Sequence, residues 1–137
     1  MGAGRFTVFI LALFATPAVA ADVLPIAGAY GDDAGCALYS HGTMPTGQGE
    51  FFLLTPNQFA SYPVRCIFRS AADSGTYGIV ANAVCTAANG DSDVEALRIT
   101  KHGTDGYGLV PKGGAEAGPW PACPPKDPGA PGEVVIN

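Results

Sequence analysis

The stretch that decides the fold is residues 62–110, YPVRCIFRSAADSGTYGIVANAVCTAANGDSDVEALRITKHGTDGYGLV. It begins with an alternating run in which Val64, Cys66 and Phe68 share one face of a strand. Further runs at 77–87, 94–101 and 107–110 are separated by turn-forming residues such as those of the Asn-Gly pair. Alternation with a period of two between short polar turns is typical of strands that pair in sequence order. The stretch therefore predicts an antiparallel meander.

The sequence before this meander extends the sheet and shows no helical stripe. Residues 50–55 are a short apolar run between a glycine and a proline, which favours a buried strand. Residues 31–35 have turn chemistry, and the only helical candidates are one-turn pieces around Gln58-Phe59. We therefore predict an all-β fold: a small antiparallel barrel or sandwich of about six to eight short strands, stapled by two disulfides.

Residues 1–20 have the layout of a secretory signal peptide. Arg5 is followed by the apolar run FTVFILALF and then by a proline and the small residues Ala18-Val19-Ala20. The apolar run is shorter than the roughly 20 residues that a membrane span needs. We predict cleavage after Ala20, a β domain over 21–123, no membrane span, and a periplasmic or secreted product. Removal of Arg5, one of 7 basic residues, leaves 6 against 12 acidic residues and a net charge of −6.

The predicted mature chain contains four cysteines: Cys36, Cys66, Cys85 and Cys123. An exported chain meets oxidising conditions, and no Cys-x-x-Cys pair points to zinc, so we predict two disulfides. Three pairings are possible, and in one of them Cys66 and Cys85 face each other across a hairpin. The pairing of Cys36 with Cys66 and Cys85 with Cys123 is favoured here. Bridges between adjacent antiparallel strands tend to be strained, and the C-terminal part needs an anchor.

The composition changes after Pro111, where prolines and glycines become frequent. Proline lacks the N–H donor that a central strand needs. Residues 111–123 are therefore predicted to form a loop held by a disulfide, with Trp120 covering the core. Residues 124–137, PPKDPGAPGEVVIN, offer little to bury and are predicted to form a disordered tail.

Composition and motifs give little support for catalysis or for nucleic-acid binding. The net charge of −5 argues against nucleic acid, which requires a basic face. His41 and His102 each begin a His-Gly-Thr tripeptide. They are either exposed loop residues, which we favour, or the basis of a small envelope metal-binding protein or enzyme, for which no third ligand is evident. The acidic run 89–95 is read as a solvated hairpin tip rather than a calcium loop. We expect no catalytic residue, no metal site and no cofactor.

Aromatic residues at strand ends favour a binding function. Tyr62, Tyr77 and Tyr107 lie at strand ends or in loops, where such side chains often anchor protein interfaces. The negative charge speeds encounter with a basic partner. We predict a non-catalytic extracytoplasmic binding protein, with a host-facing structural protein as an alternative of a different class.

Two resemblances add to this interpretation. Tyr30, the cysteines and Trp120-Pro121-Ala122-Cys123 are arranged as in small exported, disulfide-containing bacterial β proteins of uncharacterised function. The chain also resembles the exported inhibitors of c-type lysozyme. That family presents a Ser-Gly-x-x-Tyr loop to the enzyme's active-site cleft, with a lysine on a neighbouring loop.

The matching residues lie in and after the predicted hairpin. Ser74-Gly75-Thr76-Tyr77 is one residue shorter than the family's loop, and Lys101 or Lys112 takes the place of its lysine. Tyr107 and Trp120 echo the family's second motif. The resemblance implies a β-barrel of the cell envelope and a basic protein such as c-type lysozyme as its partner. The contacts that it implies are Ser74, Gly75, Thr76, Tyr77, Lys101 and Tyr107.

Overall fold

The computed structural model of the protein describes residues 21–42 and 50–126. These residues form an eight-stranded antiparallel sheet in which strands adjacent in sequence are adjacent in space. The sheet curls into a nearly closed barrel with a short helix on its outside, which confirms the predicted fold class. The strands are β1 (Tyr30–Gly31), β2 (Phe52–Leu54), β3 (Gln58–Ser61), β4 (Val64–Asp73), β5 (Ile79–Thr86), β6 (Ser92–Lys101), β7 (Tyr107–Pro111) and β8 (Ala117–Trp120), and the helix is α1 (Asp33–His41). The predicted leader and residues 127–137 of the predicted tail lie outside the described residues.

The predicted meander corresponds to strands β4 to β7. β4 pairs with β5, β5 with β6 and β6 with β7, each in antiparallel register. The predicted alternation also holds, because Ile79, Ala81 and Ala83 of β5 face the interior and are at most 8% exposed. A bulge between Phe68 and Ser70 interrupts the register of β4. Such a bulge increases the local twist and bend that a curled sheet needs.

Backbone contacts between β1 and the chain after β8 bring the two ends of the sheet together. Gly31 N–H donates to the carbonyl oxygen of Pro121 at 3.1 Å, and Cys123 N–H donates to that of Ala29 at 2.7 Å. Tyr30 and Ala122 form an antiparallel bridge between these two bonds. β1 and the chain after β8 therefore satisfy outer backbone groups of each other, which covers the exposed edge at this seam.

The barrel interior holds the main apolar core. Trp120 is 6% exposed and stacks on Phe52 and Phe59, with ring centroids 5.2 Å and 5.7 Å away. Trp120 therefore covers the core, as predicted. Leu24 enters the same core from the N-terminal segment and is 1% exposed. The buried members of this core include Leu54, Phe59, Cys66, Phe68, Ala81, Ala83, Cys85, Leu97, Ile99 and Leu109.

Helix α1 corrects the prediction that the chain has no helix beyond single turns. Asp32 caps it, because its Oδ1 accepts hydrogen bonds from the N–H groups of Gly35 at 2.8 Å and Phe52 at 3.2 Å. Gly42 ends the helix with φ 71°, the left-handed conformation common after helices. The predicted turn at 31–35 is thus the end of β1, the cap and the first helical turn. Gln58-Phe59, where one helical turn was expected, begins β3.

A second apolar cluster lies between α1 and the outer face of the sheet. Leu38 of α1 packs there with Leu53 of β2 and Ala60 of β3, and all three are at most 2% exposed. Leu54, the neighbour of Leu53, lies in the barrel core. β2 is therefore buried on both faces, and this explains its continuous apolar run.

Both predicted disulfides form, but the favoured pairing is wrong. The bonds join Cys36 to Cys123 and Cys66 to Cys85. Cys66 and Cys85 are direct partners in the β4–β5 register and both belong to the barrel core. Cys36 lies on α1, outside the barrel, so the barrel wall separates it from Cys66. Formed disulfides are typical of proteins outside the reducing cytoplasm.

The proline-rich part is more regular than predicted. Strand β8 pairs with β7 where a loop was expected, although it contains Pro119. Proline is tolerated in the last strand of a sheet because N–H groups on the outer side of such a strand do not take part in the ladder. The first tail residues lie against α1: Ser40 Oγ donates to the carbonyl oxygen of Pro124 at 3.3 Å, and Lys126 Nζ is 4.7 Å from the Tyr39 ring centroid.

In the described part of the chain, no helix has the length and apolar character needed to cross a bilayer.

Candidate binding site at one end of the barrel

The predicted contact loop lies at the tip of the β4–β5 hairpin. Ser74 precedes a single 3-10 turn over Gly75–Tyr77. Asp73 Oδ1 accepts a hydrogen bond from Gly75 N–H at 2.8 Å, and Ser74 N–H donates to the carbonyl oxygen of Gly78 at 2.7 Å. The four residues from Ser74 to Tyr77 are exposed, and Tyr77 is 69% exposed. These hydrogen bonds hold the backbone of the tip in one shape while its side chains face solvent.

Gly78 determines how this tip joins the sheet. Its φ of 81° and ψ of −152° lie in a region that is essentially restricted to glycine. A Cβ atom at this position would collide with the carbonyl oxygen of Ile99 in β6. The backbone of the hairpin tip therefore packs directly on the neighbouring strand, and this close approach sets the position of Tyr77.

The sheet register brings Lys101 and Tyr107 to the same end of the barrel as the tip. Gly78 lies against Ile99, two residues before Lys101. Lys101 is the direct partner of Tyr107 at the start of β7. Residues 74–78 and 101–107 therefore form one surface, which we call the loop end. It contains all six residues that the sequence predicted as contacts.

The two lysines considered as the basic contact lie in different places. Lys101 is exposed and belongs to the loop end. Lys112 follows Pro111, which pairs with Leu97 on the side of β6 that leads away from the loop end. The register thus leaves Lys101 as the lysine beside the predicted contact loop.

The two tyrosines of the loop end have different surroundings. Tyr107 packs against the main core, and its ring meets that of Tyr30 edge-on, with centroids 4.7 Å apart. Tyr77 extends into solvent. We infer that Tyr107 anchors the start of β7, whereas Tyr77 offers most of the aromatic contact area.

A polar contact between the loop end and the residue before β8 was missed by the sequence reasoning. His102 Nε2 contacts Glu116 Oε1, and each side chain is 34% exposed. The Glu116 side chain lies over Gly108, where a Cβ atom would collide with it. Glu116 is 14 residues away in sequence, within the stretch that was predicted to be a loop, so no local pattern signals this contact. The one sequence feature that indicates a close contact here is Gly108, a glycine between two residues of β7.

The two histidines considered as metal ligands belong to different elements. His41 ends α1 on the outside of the barrel, and His102 begins the β6–β7 turn. Among residues 21–42 and 50–126, no three His, Cys, Asp or Glu side chains are grouped closely enough to hold a metal ion.

The acidic run that was weighed as a calcium loop begins in the turn after β5. In this turn, Asn89 Nδ2 donates to Asp91 Oδ2 at 2.8 Å.

The chemistry of the loop end suits recognition of a polar surface. The Ser74 hydroxyl and the Lys101 ammonium group can donate hydrogen bonds, and the Tyr77 ring can cover apolar area. The chain matches no family model, and comparisons with curated proteins and with solved structures bring out no match.

Proposed function

We propose that the protein is a non-catalytic extracytoplasmic binding protein that contacts its partner through the loop end. The observation that carries this proposal is the exposed Tyr77 on a hairpin tip held by backbone bonds and by the close packing of Gly78 on β6. A contact surface that is rigid before binding loses little conformational entropy in the complex. Exposed tyrosines are also frequent anchors of protein interfaces.

The partner that we propose is a basic glycosidase, with c-type lysozyme as the specific candidate. Glycosidase clefts contain a pair of carboxyl groups. The Lys101 ammonium group and the Ser74 hydroxyl can bind such carboxyl groups, and the small residues of the tip can enter a narrow cleft. The predicted net charge of −6 after removal of the leader favours encounter with a basic enzyme. The resemblance of Ser74–Tyr77 to the inhibitor loop supports the same partner.

We further propose that this binding takes place in the periplasm or outside the cell. The two disulfides fit an oxidising compartment, and residues 1–20 have the sequence features of an export signal. We expect protein recovered from the periplasm or the medium to begin at Ala21, as measured by N-terminal sequencing and intact mass. Recovery only from the cytosol, with Met1 still present, would contradict the proposed compartment.

The partner is tested by titrating the purified protein into c-type lysozyme while cell-wall hydrolysis is followed. We expect saturable inhibition at micromolar concentration. The double variant Ser74→Ala/Tyr77→Ala should weaken inhibition by roughly thirtyfold or more, because a hot-spot side chain contributes about 2 kcal/mol or more.

The matched control is Tyr62→Ala. Tyr62 is 58% exposed and lies before β4, at the opposite end of that strand from the tip. Its removal should leave inhibition within about threefold of the wild type, since surface residues outside an interface contribute little. No inhibition by the wild type, or equal inhibition by the double variant, would exclude the proposed partner.

A further inference from the structure

Strand β6 is longer than the strand that covers it on one side. β5 pairs with β6 from Ser92 to Ile99, whereas β7 pairs with it only from Leu97 to Lys101. In the described part of the chain, residues 92–96 therefore have a strand neighbour on one side only. We call these five residues, SDVEA, the free edge. All five are exposed, and Val94 is 78% exposed.

The hydrogen-bond pattern of the hairpin shows which backbone groups the free edge offers. Ala87 N–H donates to the carbonyl oxygen of Asp91 at 2.9 Å, so this pair is hydrogen-bonded. In an antiparallel ladder hydrogen-bonded pairs alternate with non-bonded ones. Asp93 and Glu95 therefore bond to β5. The backbone N–H and C=O groups of Ser92, Val94 and Ala96 point away from β5, as a further strand would require.

The chain itself explains why β7 does not continue along this edge. β7 ends at Pro111, the partner of Leu97. The chain then turns, and Gly114 N–H donates to the carbonyl oxygen of Pro111 at 3.1 Å. An open groove of about 380 Å³ lies where β6 and β7 separate, and its lining includes Ala96 and Lys112.

The charges on the free edge limit what can pair with it. In an antiparallel pair centred on Val94, a second copy of the chain would set Asp93 opposite Glu95, and like charges directly opposite are destabilising. Residues 127–137 contain Asp127 and Glu133 and no lysine or arginine, so they are also poorly matched. A strand with basic residues opposite Asp93 and Glu95 is complementary to this edge in both charge and backbone pattern.

We propose that the free edge binds an extended peptide segment with alternating basic residues, which adds to the barrel as an antiparallel strand next to β6. In such strand addition the main-chain bonds provide affinity, and alternate side chains provide specificity. Residues 92–96 begin β6, whereas the loop end lies beyond its last residue, Lys101. The two surfaces are therefore separate, and either proposal can fail without the other.

The probe is the peptide acetyl-Thr-Lys-Val-Lys-Thr-amide at millimolar concentration, observed by amide hydrogen exchange in nuclear magnetic resonance. Bound peptide should slow exchange at Val94 and its two outward-facing neighbours, Ser92 and Ala96. Exchange at Asp93 and Glu95 should stay unchanged, because those amides already bond to β5. The peptide with both lysines replaced by glutamate should not bind. Slowing at all five amides, or no slowing at saturating peptide, would overturn the proposal.

Two variants separate backbone pairing from charge attraction. Val94→Pro removes one outward N–H without touching the bonds to β5, since proline is tolerated at such edge positions. It should weaken peptide binding by about tenfold. The double variant Asp93→Lys/Glu95→Lys changes exposed side chains only, and it should lose the lysine peptide and bind the glutamate peptide. Unchanged binding in either variant would overturn the proposal.

If a second copy of the chain or its own C-terminal residues already occupy the free edge, hydrogen exchange in the protein without peptide will show it. Slow exchange at Ser92, Val94 and Ala96 together with a dimer in sedimentation would overturn the proposal in favour of a second copy. The same slow exchange in a monomer, lost on Val135→Pro, would overturn it in favour of the chain's own C-terminal residues. We expect a monomer in which these three amides exchange rapidly.

Discussion

Gly75 and Gly78 flank the same turn of the loop end but meet different constraints. Gly75 has φ 64°, and a Cβ atom there would meet nothing within 4 Å. Gly78 has both a backbone conformation that other residues avoid and the Ile99 carbonyl oxygen in the space of a side chain. One residue type therefore has two roles: Gly75 eases a turn, and Gly78 allows two strands to approach.

We expect Gly78→Ala to lower the free energy of unfolding by about 3 kcal/mol, because strain and collision add. Gly75→Ala should cost only about 1 kcal/mol, the usual penalty of the left-handed conformation. Denaturant unfolding with both disulfides intact measures the two values. Equal losses would show that the contact with Ile99 does not hold the tip.

Helix α1 shows how one element depends on another. Asp32 Oδ1 accepts hydrogen bonds from the first turn of the helix and from Phe52 N–H at the start of β2. Gly35 lets the helix approach β2, because a Cβ atom there would collide with the Phe52 carbonyl oxygen. The cap therefore joins two elements that are distant in sequence.

Asp32→Ala should lower the free energy of unfolding by about 2 kcal/mol, since it removes the cap and leaves Phe52 N–H without that acceptor. Asp32→Asn keeps an acceptor oxygen and should recover most of the loss. The matched control is Asp33→Ala, an exposed residue of the same first turn. It should cost about 0.5 kcal/mol through the helix dipole alone. Thermal unfolding of the three variants compares them, and equal losses for Asp32→Ala and Asp33→Ala would contradict the double role of Asp32.

The same two elements show what sequence reasoning can and cannot predict. Strands β4 to β7 were predicted because alternation and turn residues are local signals, present in the chain itself. Helix α1 was missed because a glycine lies in its first turn and because the groups that hold it belong to other elements: Phe52 N–H bonds to its cap, and Leu38 packs on β2 and β3. The pairing of Cys66 with Cys85 was missed for a different reason. Alternation shows on which face of its strand each cysteine lies, but it does not show which residues are opposite each other on neighbouring strands. The order of the strands then placed Lys101 rather than Lys112 beside the predicted loop.

On the scale of the whole molecule, the barrel is fastened where its two ends meet. Cys36–Cys123 connects residues 87 positions apart, and it ties α1 to the chain after β8. Cys66–Cys85 crosses two strands that already pair along their length. The first disulfide therefore holds the seam of the barrel, and the second reinforces an existing ladder.

Replacing Cys36 and Cys123 together by serine should destabilise the seam more than the rest of the sheet. Hydrogen exchange should accelerate about tenfold or more at Gly31 and at position 123, whose N–H groups bond across the seam. Exchange at the buried Ala81 and Ile99 should change much less. Equal acceleration at all four amides would show that this disulfide stabilises the barrel as one unit.

The loop end as the binding surface is tested most directly by an exchange footprint of the protein in complex with c-type lysozyme. Binding through the loop end predicts slowed exchange at residues 74–78 and 101–107, with Tyr62 and the turn at 87–91 unchanged. Slowed exchange confined to Tyr62 and residues 87–91, or no slowed exchange at saturating lysozyme, would contradict it.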